Sequence, residues 1–309
     1  MPYFTISIVK AMINFLKLSI AFVILTLVNN TLTVMRRKNI ILYTATFLML
    51  FSCAQNPFTG KKTLALVPNS QILPMAFQEY DAFLSDNNVV TGTAEANMVK
   101  SVGQKIATAS ERWLNANGYQ GYLEDYRWEY NLVKDDQVNA WCMPGGKIVV
   151  YTGILPITQS ETGLAVVMGH EVAHALANHG QQRMSASQIQ QVGAVATAVG
   201  TQAAGVDEET AGYFNMAYGV GSQVGVMLPF SRSHETEADK IGLNIMAIAG
   251  YDPDEAAELW KRMKANSGGG APPEFLSTHP SNDTRINNLT QWAASAKAEA
   301  RKFGVTSFK

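Results

Sequence analysis

Two histidines four residues apart, with a glutamate between them, are the residues of this chain best suited to chemistry: His170-Glu171-Val172-Ala173-His174. They lie in the run from Glu161 to Gly180, where apolar and small residues dominate and no proline intervenes. The run reads as one buried helix with Gly180 as its stop. On a helix, residues four apart lie within about 40° of overlap, so His170 and His174 can present two imidazoles to one metal ion. Glu171 is turned from that ion but stands near enough to act on a water held there. Two neutral nitrogen ligands, one base and one open coordination position are what a zinc hydrolase requires.

A catalytic zinc takes a third protein ligand. About sixty residues downstream comes Ser231-Arg232-Ser233-His234-Glu235-Thr236-Glu237-Ala238-Asp239. Glu235 is the expected third ligand. Asp239, one turn on and on the same helix face, is placed to accept the spare N–H of a ligand histidine and fix its tautomer. Glu237 lies about 200° round the helix from Glu235 and reads as solvent-facing. An acidic helix start favoured by the macrodipole would account for the glutamates, but not for the paired histidines upstream.

With these residues in view, the chain resembles the zinc metallopeptidases of the family that includes the CAAX prenyl protease, the bacterial heat-shock membrane protease and the mitochondrial Oma-type protease. Four segments carry the resemblance: Asn139 to Gly153, His170 to His174, Glu235 to Asp239, and Ser277-Thr278-His279-Pro280 leading to Thr284-Arg285. Order and spacing are similar to the periplasmic lipoprotein branch, that of the beta-barrel-assembly-enhancing protease. No 34-residue repeat marks the tetratricopeptide domain of its longer members. The resemblance implies one Zn2+ per chain at His170, His174 and Glu235, with Glu171 as base. It also implies that His279 can cap the zinc and hold the site inactive; a transition-state role and a plain loop role stay open. His279 and Arg285 are the two candidates for oxyanion stabilisation.

The front of the chain differs from the rest. Apolar stretches run from Phe4 to Val28 and from Ile40 to Phe51, separated by Met35-Arg36-Arg37-Lys38. Read from Met35, this is an export signal: a basic start, an apolar core, then Leu50-Phe51-Ser52-Cys53. A small residue before a cysteine resembles a lipoprotein cleavage site, which makes Cys53 the expected lipidated N-terminus. Residues 1–34 then read as an upstream extension, or as an anchor weakened by Lys17 and Asn29-Asn30-Thr31. The only other cysteine is Cys142, so no disulfide within the chain is expected. Lys+Arg number 24 against Asp+Glu 25, and no basic cluster points to nucleic acid.

These elements must position the site. Residues 1–52 are the export segment, 53–69 a lipidated tether, extended through Asn56 to Lys62, and 70–309 a metallopeptidase domain. Helices are expected over Ser70 to Leu84 and Thr93 to Asn115. Strands over Trp128 to Val133, Asn139 to Met143 and Lys147 to Tyr151, with a Pro144-Gly145-Gly146 turn, predict a small, mainly antiparallel sheet before the metal helix. In zinc peptidases of this kind an edge strand beside the metal pairs with substrate backbone. The low-charge, glycine-rich stretch Gln181 to Leu228 reads as a helical hairpin packed over the core, ahead of a membrane-touching or mobile lid. The Glu235 helix runs to about Ala249, with further helices over Pro253 to Ala265 and Asn282 to Lys302 around a Ser267 to Pro273 loop. His179 is expected to face away from the metal, and His234 to lie at a surface helix start ahead of lining the cleft. The fold class is α+β, mainly α, of zincin-like type.

The function expected is zinc-dependent hydrolysis of peptide bonds in unfolded or misassembled cell-envelope proteins, by an enzyme lipid-anchored facing the periplasm. The rival is a lipid-anchored chaperone or adaptor keeping a silent metal site. Intramembrane cleavage of lipidated peptides needs several membrane spans that the chain lacks.

Overall fold

A computed structural model describes residues 53–223, 227–266 and 274–309. The export segment 1–52, residues 224–226 and the whole Ser267 to Pro273 loop lie outside the described residues. The chain divides into two compact units, Met1–Cys53 and Ala54–Lys309.

The second unit is mainly helical around a small mixed sheet. In order, the elements are β1 (Cys53–Gln55), β2 (Lys62–Leu64), α1 (Asn69–Asp86), β3 (Val89–Val90), α2 (Ala94–Ala116), β4 (Glu129–Val133), β5 (Ala140–Met143), β6 (Lys147–Tyr151), α3 (Leu155–Thr158), α4 (Glu161–Leu176), α5 (His179–Ala203), α6 (Glu208–Ser222), α7 (Leu228–Ile248), α8 (Glu255–Asn266), α9 (Glu274–Thr278) and α10 (Asp283–Lys302). The larger sheet runs β3-β4-β6-β5. Its outer pairings, β3–β4 and β5–β6, are antiparallel, as the hairpin signals predict, while the central β4–β6 pairing is parallel. The turn between β5 and β6 uses Gly145 and Gly146, both at φ +84, a conformation that costs glycine least.

Helix α4 is the axis of the unit. Every residue from Gly163 to Leu176 is buried, as a helix that is apolar all round requires. Ser160 caps it by accepting from the Gly163 N–H at 3.0 Å. Around α4 pack α2, α7, α8 and the β5 end of the sheet. The core they share includes Val102 and Ile106 of α2, Ile148 and Val150 of β6, Met168 and Val172 of α4, and Trp260 of α8. A smaller cluster, Tyr80, Val133, Val149 and Tyr151, joins α1 to the sheet.

Three expectations need correction. The metal helix does not reach Gly180. It ends at Leu176, Asn178 turns the chain at φ +56, and α5 starts afresh at His179 with Gly180 inside it. Asparagine tolerates this left-handed conformation, and that tolerance is what breaks the run. The hairpin α5–α6 is present but is not packed over the core. On α5 only His179, Gln181, Gln182 and Ser185 are buried, and on α6 nothing is. Each helix can bury only the stripe facing the other, which leaves Val192 69% and Tyr213 63% exposed. No helix of the described residues is long and apolar enough to cross a membrane. Finally, the segment expected as an extended tether folds back: β1 and β2 form a hairpin, and Asn56 within it is buried.

Candidate metal centre

The site forms where α4 crosses α7. Glycines sit at the crossing: a Cβ on Gly242 would lie 2.9 Å from backbone atoms of Gly169 and His170. Only bare backbone allows the two helices this close, and the approach carries Glu235 of α7 to the histidines of α4.

His170, His174, Glu235 and His279 each offer a ligand atom, all within 4.8 Å of one another. The Nε2 atoms of His170 and His174 are 3.1 Å apart. Glu235 sets Oε2 3.3 Å from His170 Nε2 and Oε1 3.3 Å from His174 Nε2. His279 Nδ1 is 3.1 Å from His170 Nε2 and 2.9 Å from Glu235 Oε2. Atoms bound to zinc at about 2.0–2.1 Å in a tetrahedron stand about 3.3–3.4 Å from each other. The observed separations therefore suit one small ion, and three imidazoles with one carboxylate suit zinc chemically.

The protonation pattern agrees. Asp239 Oδ1 lies 3.0 Å from His170 Nδ1. An ionised carboxylate only accepts, so the proton is on Nδ1 and Nε2 is free to ligate. Burial alone would lower the pKa of His170, but the bonds to Asp239 and Glu235 outweigh it and raise the pKa to about 9. Burial lowers His174 to about 3, so it stays neutral. Burial pushes Glu235 upward, but the surrounding imidazoles more than reverse this and hold it well below the ordinary carboxylate range. The cradle thus favours a positive charge at its centre.

Glu171 is buried beside the cluster, with Oε1 3.5 Å from His279 Nε2. Oε1 makes no hydrogen bond to the protein, so it is free to take one from a water or substrate. Burial raises its pKa, which makes it a stronger base than an exposed carboxylate. Cys142 lies on β5, where burial and the nearby Glu171 push its thiol pKa up, and it is not among the described residues that converge on the cluster.

Behind this cluster lies a layer that the sequence reading missed or misplaced. Arg285, a candidate oxyanion donor, sets Nη1 3.5 Å from Glu235 Oε2 and also braces the back of the site. Its Nη2 donates to Asp239 Oδ1 at 2.6 Å, Nη1 donates to Pro280 O at 3.3 Å, and the guanidinium lies 3.4 Å over the Trp260 ring. Through Nη2 it anchors the carboxylate that lies against His170, while its Nε makes no hydrogen bond among the described residues. His179, expected to face away, has its Nδ1 2.9 Å from His174 Nδ1. The helix break at Asn178 swings it back onto the ligand. His234, expected at the surface, is buried, stacks on His179 at 4.0 Å, and has Nε2 3.0 Å from Gln182 Oε1. Gln182 in turn donates to Ala177 O at 2.7 Å. All five histidines of the chain are buried in this one region. Glu237, expected in solvent, is buried as well and is held by the segment around Asn56. The one advance signal for His179 was Asn178, a residue prone to end a helix.

Residues 94–293 match the model of peptidase family M48. The chain belongs to that family. Zinc is the metal these peptidases use. Among curated relatives, this M48 chain is 40% identical over 179 residues to the mitochondrial metalloendopeptidase OMA1 of Schizosaccharomyces pombe, covering 57% of this chain and 50% of that one. It is 35% identical over 181 residues to the Saccharomyces cerevisiae OMA1, covering 56% and 49%. To the beta-barrel assembly-enhancing protease of Yersinia pestis it is 28% identical over 255 residues, covering 77% and 50%. This M48 chain thus spans about half the length of the curated relatives it matches.

Proposed function

We propose that this chain is a zinc-dependent endopeptidase acting on unfolded or misassembled cell-envelope proteins, held at the membrane through a lipid on Cys53. The observation that carries the activity is the convergence of His170, His174 and Glu235 on one point, with the unpartnered carboxylate oxygen of Glu171 beside it, in a chain of family M48. When bound, zinc supplies Lewis acidity: it polarises a carbonyl oxygen and makes a water more acidic.

The chain's own residues do the rest. Glu171 takes a proton from the attacking water at its carboxylate oxygen and returns it to the leaving nitrogen. Asp239, braced by Arg285, keeps the His170 proton on Nδ1. Strand β5 stands at the edge of its sheet and packs against α4, so an extended peptide can add to it through main-chain hydrogen bonds. Such pairing accepts any unfolded segment and rejects folded ones, which is the basis for the substrate class. The named relatives, a mitochondrial metalloendopeptidase and a bacterial beta-barrel assembly-enhancing protease, support a membrane setting.

His279 is proposed as the cap of the site. Its Nδ1 stands 2.9 Å from Glu235 and 3.1 Å from His170, in the place a water would need. Its removal is expected to raise proteolysis; unchanged or lower proteolysis in His279→Ala counts against the cap.

The test is digestion of casein by the purified full-length chain. Hydrolysis that is lost with a chelator, restored by zinc and absent in Glu171→Gln supports the proposal. A wild-type protein that binds zinc and holds unfolded proteins without cutting them makes the chain an adaptor with a silent site.

A further inference from the structure

The third-ligand helix poses a problem of anchoring. Among the described residues of α7 before Ala238, the buried side chains are polar: His234 and Glu237. Over residues 231–237 polar contacts therefore fix the turn that carries Glu235. Glu237 is two residues beyond Glu235 and two before Asp239, on the opposite side of the helix. A buried carboxylate is costly unless its oxygens are satisfied.

What satisfies it comes from the far end of the chain. Asn56 Nδ2 donates to Glu237 Oε1, Thr59 Oγ1 donates to the same oxygen at 3.2 Å, and Lys61 Nζ reaches Oε2 at 3.4 Å. These donors sit on a closed turn. Lys61 O accepts from the Asn56 N–H at 2.9 Å, Asn56 O accepts from the Gly60 N–H at 2.8 Å, and Gly60 makes the turn at φ +69. Asn56 Oδ1 accepts from the Phe58 N–H at 2.9 Å, which fixes the amide's orientation so that its NH2 faces Glu237. Phe58 stacks on Trp113 of α2 at 4.3 Å, tying the turn to the body of the unit. Just beyond β2, Leu66 N–H donates to Ser185 Oγ at 3.0 Å and Gln181 donates to Val67 O at 2.7 Å. The same segment therefore also holds the first turns of α5, which carry His179 and Gln182.

We propose that residues 56–61 are a strap that sets the position of Glu235 through Glu237, making Asn56, Thr59 and Lys61 positioning residues of the metal centre. The inference rests on the reading of this site as a metal site. Its consequence is that the metal centre is mechanically joined to the point where the chain leaves Cys53, three residues before Asn56. A pull or cut at the segment from Cys53 to Lys61 would loosen a zinc ligand without touching the cluster.

The experiment uses the full-length chain carrying Asn56→Ala, Glu237→Ala, Glu237→Gln, or the surface pair Thr59→Ala with Lys61→Ala. The readouts are zinc affinity by chelator competition, the visible spectrum of the cobalt-substituted protein, and hydrogen exchange over Ser233–Asp239 in metal-free protein. Asn56→Ala and Glu237→Ala should weaken zinc binding about tenfold or more, whereas Glu237→Gln, whose amide oxygen still accepts, should stay within about threefold of wild type. Exchange at the start of α7 should quicken while that of α4 does not change. Wild-type zinc affinity, cobalt spectrum and exchange in Asn56→Ala overturn the strap. Should Asn56→Ala fail to fold, the surface pair decides by the same readouts. A wild-type chain that binds no zinc overturns the metal reading itself, a result the variants cannot mimic.

Discussion

In the metal centre, five histidines, Glu171, Asp239 and Arg285 are all buried, while in the α5–α6 hairpin Val192, Val195, Val199, Tyr213, Phe214 and Met216 lie exposed. Residue type alone would assign the opposite. The difference comes from the number of neighbouring surfaces. The centre is enclosed by α4, α7, α9 and α10, which supply partners for buried polar groups: Asp239 holds His170, Arg285 holds Asp239, and Gln182 holds His234. The hairpin offers its apolar residues a single helix–helix seam, and Tyr218 against Gly193 already fills part of it. Burial thus follows from the count of packing partners, and hydrophobicity only sets its value.

Four experiments would break or sharpen that contrast. The largest effect is expected at Glu171: Glu171→Gln should cut kcat by about 10²–10⁴-fold while zinc content, measured by metal analysis, stays at one ion. Next comes the layer behind the ligands. Asp239→Ala should weaken zinc affinity about 10–100-fold, which calorimetric zinc titration reads. Third is the helix crossing. A methyl at Gly242 meets the Gly169 backbone, which cannot yield as a side chain can, so Gly242→Ala should cost about 1–3 kcal/mol. At about 2–4 °C per kcal/mol, a thermal melt will show it. The smallest effect belongs to the hairpin: Val195→Ser or Met216→Ser should change stability by less than about 0.5 kcal/mol in chemical denaturation. A large loss there would mean that the exposed face is covered in solution and the contrast is wrong.

Much of the candidate cluster could be read from spacing. His170 and His174 four apart, and Glu235 with Asp239 four apart, are each a local helical statement, and local geometry is what a sequence encodes directly. The helix assignments over 70–84 and 93–115 match α1 and α2 within a residue or two, because both runs carry clear apolar periodicity and Thr93 supplies a cap. The errors share one cause. His179 was placed by extrapolating a helix through Asn178, where the backbone in fact turns. Glu237 was placed correctly on the far side of its helix, but that side is roofed by Asn56 and its neighbours. Arg285 was visible as a charged residue near His279, but its direction was not, since Trp260 and Asp239 orient it from other helices.

The sequence by itself determined the candidate ligand types, their spacing along two helices, the glutamate between the histidines and the low charge of the hairpin, because these depend on residues within a turn or two of each other. The tertiary structure alone decided that Glu235 and His279 meet the histidine pair, that Asn56 braces Glu237, and that the hairpin's apolar side chains stay uncovered. Those outcomes depend on which surfaces the chain brings together across more than a hundred residues, and a periodic pattern in one segment carries no information about the face that will be laid against it.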